Sequence, residues 1–241
     1  MTPDRMVLSI VGDVNTQAVL EKLKILLSAR TPRASRAQPA APRADMPPQS
    51  PRSVFYRRNR NQTHLVLGFM GTTLSGKDRH PLEVLMATLA GQSGRLFVQL
   101  RDRQSLAYAV SGFSLEGIEP GYVALYLAVD PSKSEQAVQS LMAEVNRLSL
   151  EPMSLDELTR VQNFLIGNQA VSQQRAAARA ATMALNELYG LGHLAHLEYP
   201  RQISAVTRAD VMRVARKYLV PQNHCLAVVG PQPLSPATGT L

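Results

Sequence analysis

The stretch from Ser93 to Gly112, SGRLFVQLRDRQSLAYAVSG, constrains the fold most, because its apolar residues change period half-way along it. In the first half they recur at three- and four-residue spacing behind Ser93, a favourable N-cap, which predicts a helix that carries Arg101. In the second half Leu106, Tyr108 and Val110 alternate with small residues, which predicts a strand. A helix that leads directly into a strand can present the Arg101 guanidinium and the Tyr108 phenol to one cleft.

The remainder of the chain predicts an α+β fold, because strands and helices come in groups without a βαβ alternation. Predicted strands are SVFYRR from Ser53, THLVLGFMG from Thr63, YVALYLAVD from Tyr122 and CLAVVGP from Cys225. Predicted helices run from Pro81 to Ala90, from a Ser132 cap to about Ser149, from a Ser154/Glu157 capping box through Gly167, from Gln169 to Tyr189, and from a Thr207/Asp210 cap to about Tyr218.

The N-terminal residues predict one further strand and helix. Met6 to Gly12 is a short apolar run of strand type, and an amphipathic helix opens after it at Asn15 or Thr16. The run LSIVGD has a counterpart in CLAVVGP near the other end of the chain, since both are apolar strands that end at a glycine.

The net charge of +8 is concentrated in one segment. Between Arg30 and Arg60 there are eight arginines and one acid, Asp45, in a stretch rich in Pro, Ala and Ser. This composition is typical of an extended, solvated linker, and the rest of the chain is almost neutral. Because the arginines are not laid on a helix face or interleaved with aromatics, we expect no nucleic-acid function. No apolar run approaches the roughly 18 residues of a membrane span.

The titratable residues predict no metal site in this chain. The single cysteine, Cys225, excludes an internal disulfide, and its apolar strand predicts a buried structural thiol. His193 and His196 are three residues apart, but Gly190 and Gly192 predict a turn there with exposed histidines.

The run GRLFVQLRDRQSLAY resembles a segment of the pitrilysin/insulinase metallopeptidases, the inverted zincins, in which an Arg and a Tyr seven positions apart act on the substrate. Here these positions are Arg101 and Tyr108. The order of segments from about Ser53 to Pro231 is similar to that family's second, metal-free homologous domain. The resemblance implies an antiparallel-rich mixed sheet with helices packed on one face, as in the metal-free half of mitochondrial-processing-peptidase-like proteins.

The resemblance also implies a division of the chain. Residues 1–29 would be the terminal strand and helix of a preceding homologous domain, 30–52 a Pro/Arg/Ala-rich linker, 53–232 the metal-free peptidase-like domain and 233–241 a tail. Any signal peptide is expected outside this chain, so the compartment stays open, with bacterial periplasm or cytoplasm expected.

An inverted zincin binds zinc through HxxEH on a helix, where two imidazoles hold the metal and the carboxylate acts as base. The nearest match here is HPLEV, His80 to Val84, in which valine replaces the second imidazole and Pro81 follows the first. A single imidazole and a carboxylate do not form a catalytic zinc site. We therefore interpret His80 as a polar residue at a helix start and expect the chain to be inactive by itself.

The resemblance implies the non-zinc-binding half of a zinc metalloendopeptidase. A homologous domain or subunit would hold the zinc, and a peptide would be the substrate. Tyr108 would donate a hydrogen bond to the oxyanion that forms at the scissile carbonyl, and Arg101 would bind a neighbouring peptide carbonyl. The alternative is a non-catalytic scaffold or assembly subunit of the same fold, as in the core subunits of the respiratory cytochrome complex. Homo-oligomerisation is left open.

Overall fold

The computed structural model describes residues 6–28, 45–91 and 94–235. These residues form two compact units: one contains 6–28 and 166–201, the other 45–91, 94–165 and 202–235. The predicted N-cap at Ser93, most of the predicted linker and the last residues of the predicted tail lie outside the described residues. The division into domains at 29, 52 and 232 stays a prediction.

The larger unit is built on a five-stranded mixed sheet, which confirms the predicted α+β class. The strands are β1 (Arg52–Arg57), β2 (Thr63–Met70), β3 (Ala107–Leu115), β4 (Tyr122–Val129) and β5 (Cys225–Gly230). Their order across the sheet is β1-β5-β2-β4-β3. Only the β1/β5 pair is parallel, and the other neighbours are antiparallel.

One face of the sheet forms the core of this unit. Strand β2 alternates strictly, so that Leu65, Leu67 and Phe69 are buried while the residues between them are partly exposed. Helices α2 (Arg79–Ala90), α3 (Ser134–Leu150) and α7 (Arg208–Tyr218) supply the other side of the core. The apolar residues of these helices recur about every 3.6 positions and so share one face, and that face is buried.

The two edges of the sheet differ in charge. Edge strand β1 begins and ends with Arg52 and Arg57, and Arg58 follows it. The other edge strand, β3, has no charged residue in its nine positions. Charged residues on an edge strand hinder the addition of a further strand, so β3 is the more favourable of the two edge strands for pairing.

Helix boundaries follow local capping chemistry. At α7, Thr207 and Asp210 form the predicted capping box. The prediction that Ser132 caps α3 is wrong, because the Asp130 carboxylate accepts the Ser132 backbone N–H at 2.8 Å and a short 3-10 turn precedes α3. The predicted capping box at Ser154 is half formed: Ser154 Oγ accepts the Glu157 N–H at 3.1 Å, but the Glu157 side chain binds elsewhere.

A buried carboxylate ties α2 to α7. Asp78 is 2% exposed and accepts hydrogen bonds from Arg213 and Lys217, each at 2.6 Å, and from the Tyr218 hydroxyl at 2.9 Å. Burial by itself would raise the pKa of Asp78, but the bonds from Lys217, Arg213 and Tyr218 outweigh it and hold the pKa well below its usual range. The carboxylate is therefore ionised and satisfied inside the fold.

The smaller unit is helical. It contains α1 (Thr16–Ser28), the last turns of α4 (Leu155–Ser172), α5 (Ala176–Leu188) and the start of α6 (Tyr199–Ser204). Asn15 Oδ1 accepts the Ala18 N–H at 3.0 Å, which confirms the predicted helix start. The prediction of one helix from Gln169 to Tyr189 is wrong, because α4 extends to Ser172 and a break of three residues separates it from α5.

The N-terminal apolar run does not form a strand. Met6 to Gly12 carries no ladder pairing, and its apolar side chains are exposed or partly exposed. A strand needs a neighbour for its backbone groups, and the described residues offer this segment none. In α1 the apolar stripe is likewise without a fully buried residue. No helix among the described residues has the length and apolar character to cross a membrane.

Candidate functional site

The predicted helix before Tyr108 is a π-helix, which corrects the expectation of an ordinary α-helix. It spans Phe97–Arg103 and buries Leu100 against the core. The wider turn is visible at its end, where the Gln104 N–H bonds the Gln99 carbonyl at 3.2 Å. π-Helical turns are rare and are found frequently at functional sites.

The connection from the π-helix to β3 is short and held in place. Ser105 adopts a left-handed backbone with φ of 48°, and the Leu106 N–H then bonds the Leu100 carbonyl at 2.7 Å. Two residues hold the turn: Lys133, in the 3-10 turn before α3, donates from Nζ to the Ser105 carbonyl at 3.1 Å, and Ser140, within α3, donates from Oγ to Gln104 Oε1 at 2.8 Å. The spacing between Arg101 and Tyr108 is thus set by the tertiary fold.

Tyr108 is the extra residue of a β-bulge. Ala107 pairs with Val129 and Ala109 with Ala128, so two steps along β3 oppose one step along β4. The predicted strict alternation from Leu106 to Ser111 is therefore interrupted at Tyr108. Bulges turn a side chain away from the regular sheet direction and are common beside active sites.

The Arg101 and Tyr108 side chains are both accessible. Tyr108 is 59% exposed, and its hydroxyl has no hydrogen bond to a described residue. The Arg101 Cζ lies 4.8 Å from the centre of the Phe97 ring, a cation–π contact within the π-helix. Arg101 forms no ion pair within the described part of the chain. Two hydrogen-bonding side chains on adjoining elements are thus available to a ligand.

A partly buried ion pair anchors the start of the same segment. Arg95 donates to both oxygens of Glu157, at 2.8 and 2.7 Å, and both side chains are 17% exposed. The hydrogen bond from Arg95 lowers the pKa of Glu157 despite its partial burial. This bidentate pair joins the residues just before the π-helix to the first turn of α4.

The residues of the HPLEV run do not fit a zinc ion. His80 Nδ1 lies 3.5 Å from Glu83 Oε2, so these two side chains face each other, while Val84 is completely buried. Elsewhere, His193 is exposed beside a turn with two left-handed glycines, as predicted, whereas His196 is partly buried. No cluster of three or more potential metal ligands occurs in residues 6–28, 45–91 and 94–235.

Sequence reasoning missed a groove on the face of the sheet opposite helices α2, α3 and α7. It has a volume of about 700 Å³ and is lined mostly by apolar side chains from all five strands. The predicted burial of Cys225 is wrong, because this residue is on that face and its thiol is exposed in the groove. Gly68 within THLVLGFM was the available signal, since an isolated glycine inside a strand often marks a place where a ligand or another backbone comes close to the strand.

Residues 1–165 match the family model for the peptidase M16 inactive domain. The chain belongs to this family. It is 26% identical over 231 residues to an uncharacterized zinc protease of Rickettsia bellii, covering 95% of this chain and 54% of that protein. It is 29% identical over 238 residues to one of Mycobacterium tuberculosis, covering 95% and 52%. The chain thus spans about half the length of these relatives.

Solved structures share the fold of this M16 domain. A protease from Helicobacter pylori matches with a TM-score of 0.82 and 19% identity, over 92% of this chain and 54% of that one. A peptidase M16 inactive domain from Pseudomonas fluorescens gives 0.77 and 19%, over 92% and 53%. A chain of complex III2 from Candida albicans gives 0.75 and 14%, over 91% and 54%.

Proposed function

We propose that this M16 domain supplies substrate contacts for peptide hydrolysis at a zinc ion held by a homologous domain or subunit. The observation that carries the proposal is the pair formed by Arg101 and Tyr108, which lie on adjoining elements with accessible, unpaired polar groups. Membership of the inactive-domain family supports the absence of zinc chemistry in this chain, as does the misfit of His80, Glu83 and Val84 to the metal.

Each side chain has a separate role in the proposal. The Tyr108 hydroxyl donates a hydrogen bond to the oxygen of the scissile carbonyl as negative charge develops on it. The Arg101 guanidinium binds a neighbouring peptide carbonyl and so fixes the register of the peptide. Strand β3 favours an extended substrate, because it begins at Ala107, next to Tyr108, and carries no charged residue along its edge.

The decisive experiment compares two tyrosines in the protein reconstituted with its zinc-bearing half. Tyr108→Phe removes one oxyanion donor and is expected to lower turnover about a hundredfold, or roughly 3 kcal/mol, without changing the melting temperature. Tyr56→Phe is the matched control, because Tyr56 is on the opposite edge strand and is 60% exposed, against 59% for Tyr108. Parental turnover with Phe at position 108 would show that Tyr108 has no such role.

A second candidate function is a non-catalytic assembly subunit, and the fold shared with a chain of complex III2 supports it. The two functions differ in whether the chain, combined with its zinc-bearing half, cleaves peptides. If the preparation containing the zinc-bearing half cleaves no peptide, and Arg101→Ala with Tyr108→Phe changes neither assembly nor stability, the assembly role is favoured. A chain that hydrolyses peptides alone and is inhibited by chelators would contradict both functions.

A further inference from the structure

The backbone of Ser105 links Arg101 to the strand that carries Tyr108. The Ser105 N–H donates to the Arg101 carbonyl at 3.2 Å. The Ser105 carbonyl accepts a hydrogen bond from Lys133 Nζ at 3.1 Å. Ser105 is thus bonded on both sides, once within its own segment and once by a residue outside it.

Ser105 has a backbone conformation that favours glycine. Its φ of 48° lies in the left-handed region, and within the described residues no other residue except glycine has a positive φ. A non-glycine residue keeps such a conformation only where its surroundings enforce it. The bond to Arg101 lies within the segment and moves with it, whereas the bond from Lys133 comes from another element. Lys133 is therefore the contact that can hold the turn against relaxation.

Lys133 belongs to the part of the chain that also pairs with the bulge. Strand β4 ends at Val129, which pairs with Ala107, and Lys133 follows shortly after it. The connection between them is held by two hydrogen bonds. The Asp130 carboxylate accepts the Ser132 N–H at 2.8 Å, and the Asp130 carbonyl accepts the Lys133 N–H at 3.0 Å. The position of β4 is thereby transmitted to the turn through Lys133.

The direction of the Tyr108 side chain depends on this turn. As the extra residue of the bulge, Tyr108 has no partner residue on β4, and its side chain is 59% exposed. With neither a cross-strand partner nor burial to hold it, the phenol takes its direction from the backbone that leads into it, from Ser105 to Ala107. Displacing a group that acts in the transition state by about 1 Å can cost up to about a hundredfold in rate.

We propose that Lys133 is a positioning residue for Tyr108. Its bond to the Ser105 carbonyl holds the left-handed turn, and the turn sets the direction in which the phenol leaves β3. Lys133 acts through the turn and does not itself bind the substrate. The inference rests on the proposed function of Tyr108 as a donor to the oxyanion, and it makes that function depend on a side chain outside the segment from Arg101 to Tyr108.

Hydrogen exchange tests the structural part of the proposal in the 241-residue chain. Lys133→Met removes the bond to the turn and is expected to speed exchange of the Ser105 and Leu106 amides about tenfold, with an unchanged melting temperature. Lys133→Arg is expected to restore slow exchange, because a guanidinium can also donate to a single carbonyl. Lys77→Met is the matched control, because Lys77 is also an exposed lysine but is outside this turn. Unchanged exchange in Lys133→Met would overturn the proposal.

Steady-state kinetics of the protein reconstituted with its zinc-bearing half test the functional part. Lys133→Met is expected to lower turnover about tenfold with KM unchanged, because the group that it positions acts only in the transition state. Lys133→Arg is expected to restore turnover, and Lys77→Met to leave it at the parental value. In a Tyr108→Phe background, Lys133→Met is expected to cost at most about a further twofold, because the hydroxyl that Lys133 positions is gone.

The kinetic results separate this inference from the proposed function. Parental turnover in Lys133→Met, beside a slowed Tyr108→Phe, would refute the inference alone. A rise in KM, or additive losses that reach about a thousandfold in the double variant, would instead make Lys133 an independent substrate contact. A fall in melting temperature with Lys133→Met would reduce Lys133 to a structural role. Parental turnover in Tyr108→Phe would refute the proposed function and, with it, this role of Lys133.

Discussion

Arg95 and Arg101 are at the two ends of one short segment and have opposite environments. Arg95 is partly buried and binds both oxygens of Glu157, whereas Arg101 is exposed and its guanidinium lies over the Phe97 ring. The partner of Arg95 lies 62 residues further along the chain. Residue type and local sequence do not separate the two arginines. What separates them is whether the fold brings a carboxylate to the guanidinium, and this distinguishes a side chain that holds the structure from one that is available to a ligand.

Asp78 is a second charged side chain that the fold pairs, and it is more buried than Arg95 or Glu157. Asp78→Asn is expected to lower the free energy of unfolding by roughly 3 kcal/mol at pH 7, because an amide carries no negative charge and has one acceptor oxygen where Arg213 and Lys217 bond two. Chemical denaturation of the parent and the variant measures the difference. Tyr108→Phe is expected to show no such loss, because the Tyr108 side chain is exposed.

The stability that Asp78 contributes also depends on pH. Because the folded-state pKa is lowered, the contribution is complete above the unfolded-state pKa of about 4 and is lost as pH falls below that value. The difference in unfolding free energy between parent and Asp78→Asn is therefore expected to be constant from pH 7 to about pH 5 and smaller at about pH 3. A difference that grows on acidification would contradict this assignment.

Glu157→Gln tests the partly buried arginine directly. The substitution leaves Arg95 partly buried without a charged partner, so we expect a loss of roughly 2 kcal/mol in unfolding free energy. Glu151→Gln serves as the control, because Glu151 is 63% exposed and pairs only with Arg147 on the surface. Equal effects of the two substitutions would show that burial of the Arg95/Glu157 pair adds nothing.

Arg101→Lys tests the exposed arginine. Lysine keeps the charge but loses the planar fork, so we expect KM for peptide to rise about tenfold with turnover and melting temperature unchanged. Steady-state kinetics of the protein combined with its zinc-bearing half measures this split. A fall in melting temperature with KM unchanged would place Arg101 with Arg95 among the structural arginines.

The smallest effect is expected at the turn between Arg101 and Tyr108. Ser105 has a left-handed backbone that glycine adopts without steric cost, so Ser105→Gly is expected to stabilise the protein by about 0.5 kcal/mol. Thermal unfolding would detect the shift. Ser105→Val is the informative opposite, since a β-branched residue at this backbone geometry is expected to destabilise the turn.

The sequence was sufficient to predict the order and type of most elements, because hydrophobic period and capping residues are local signals. The Thr207/Asp210 capping box and the alternation of β2 are examples. Features that depend on distant partners were not predictable in this way. The Glu157 side chain leaves its expected cap to bind Arg95, and the bulge at Tyr108 depends on pairing with β4. The exposure of Cys225 depends on which face of the sheet the helices cover.

The short connection between the π-helix and β3 limits how this segment can vary. Lys133 and Ser140 bond the turn and fix its course, whereas Asp102 and Arg103 are exposed and can be substituted without changing it. Chain length is another matter: one inserted residue would rotate the guanidinium about a third of a turn relative to the phenol. Substitutions at exposed positions between Arg101 and Tyr108 are therefore tolerated, whereas an insertion or deletion there is not.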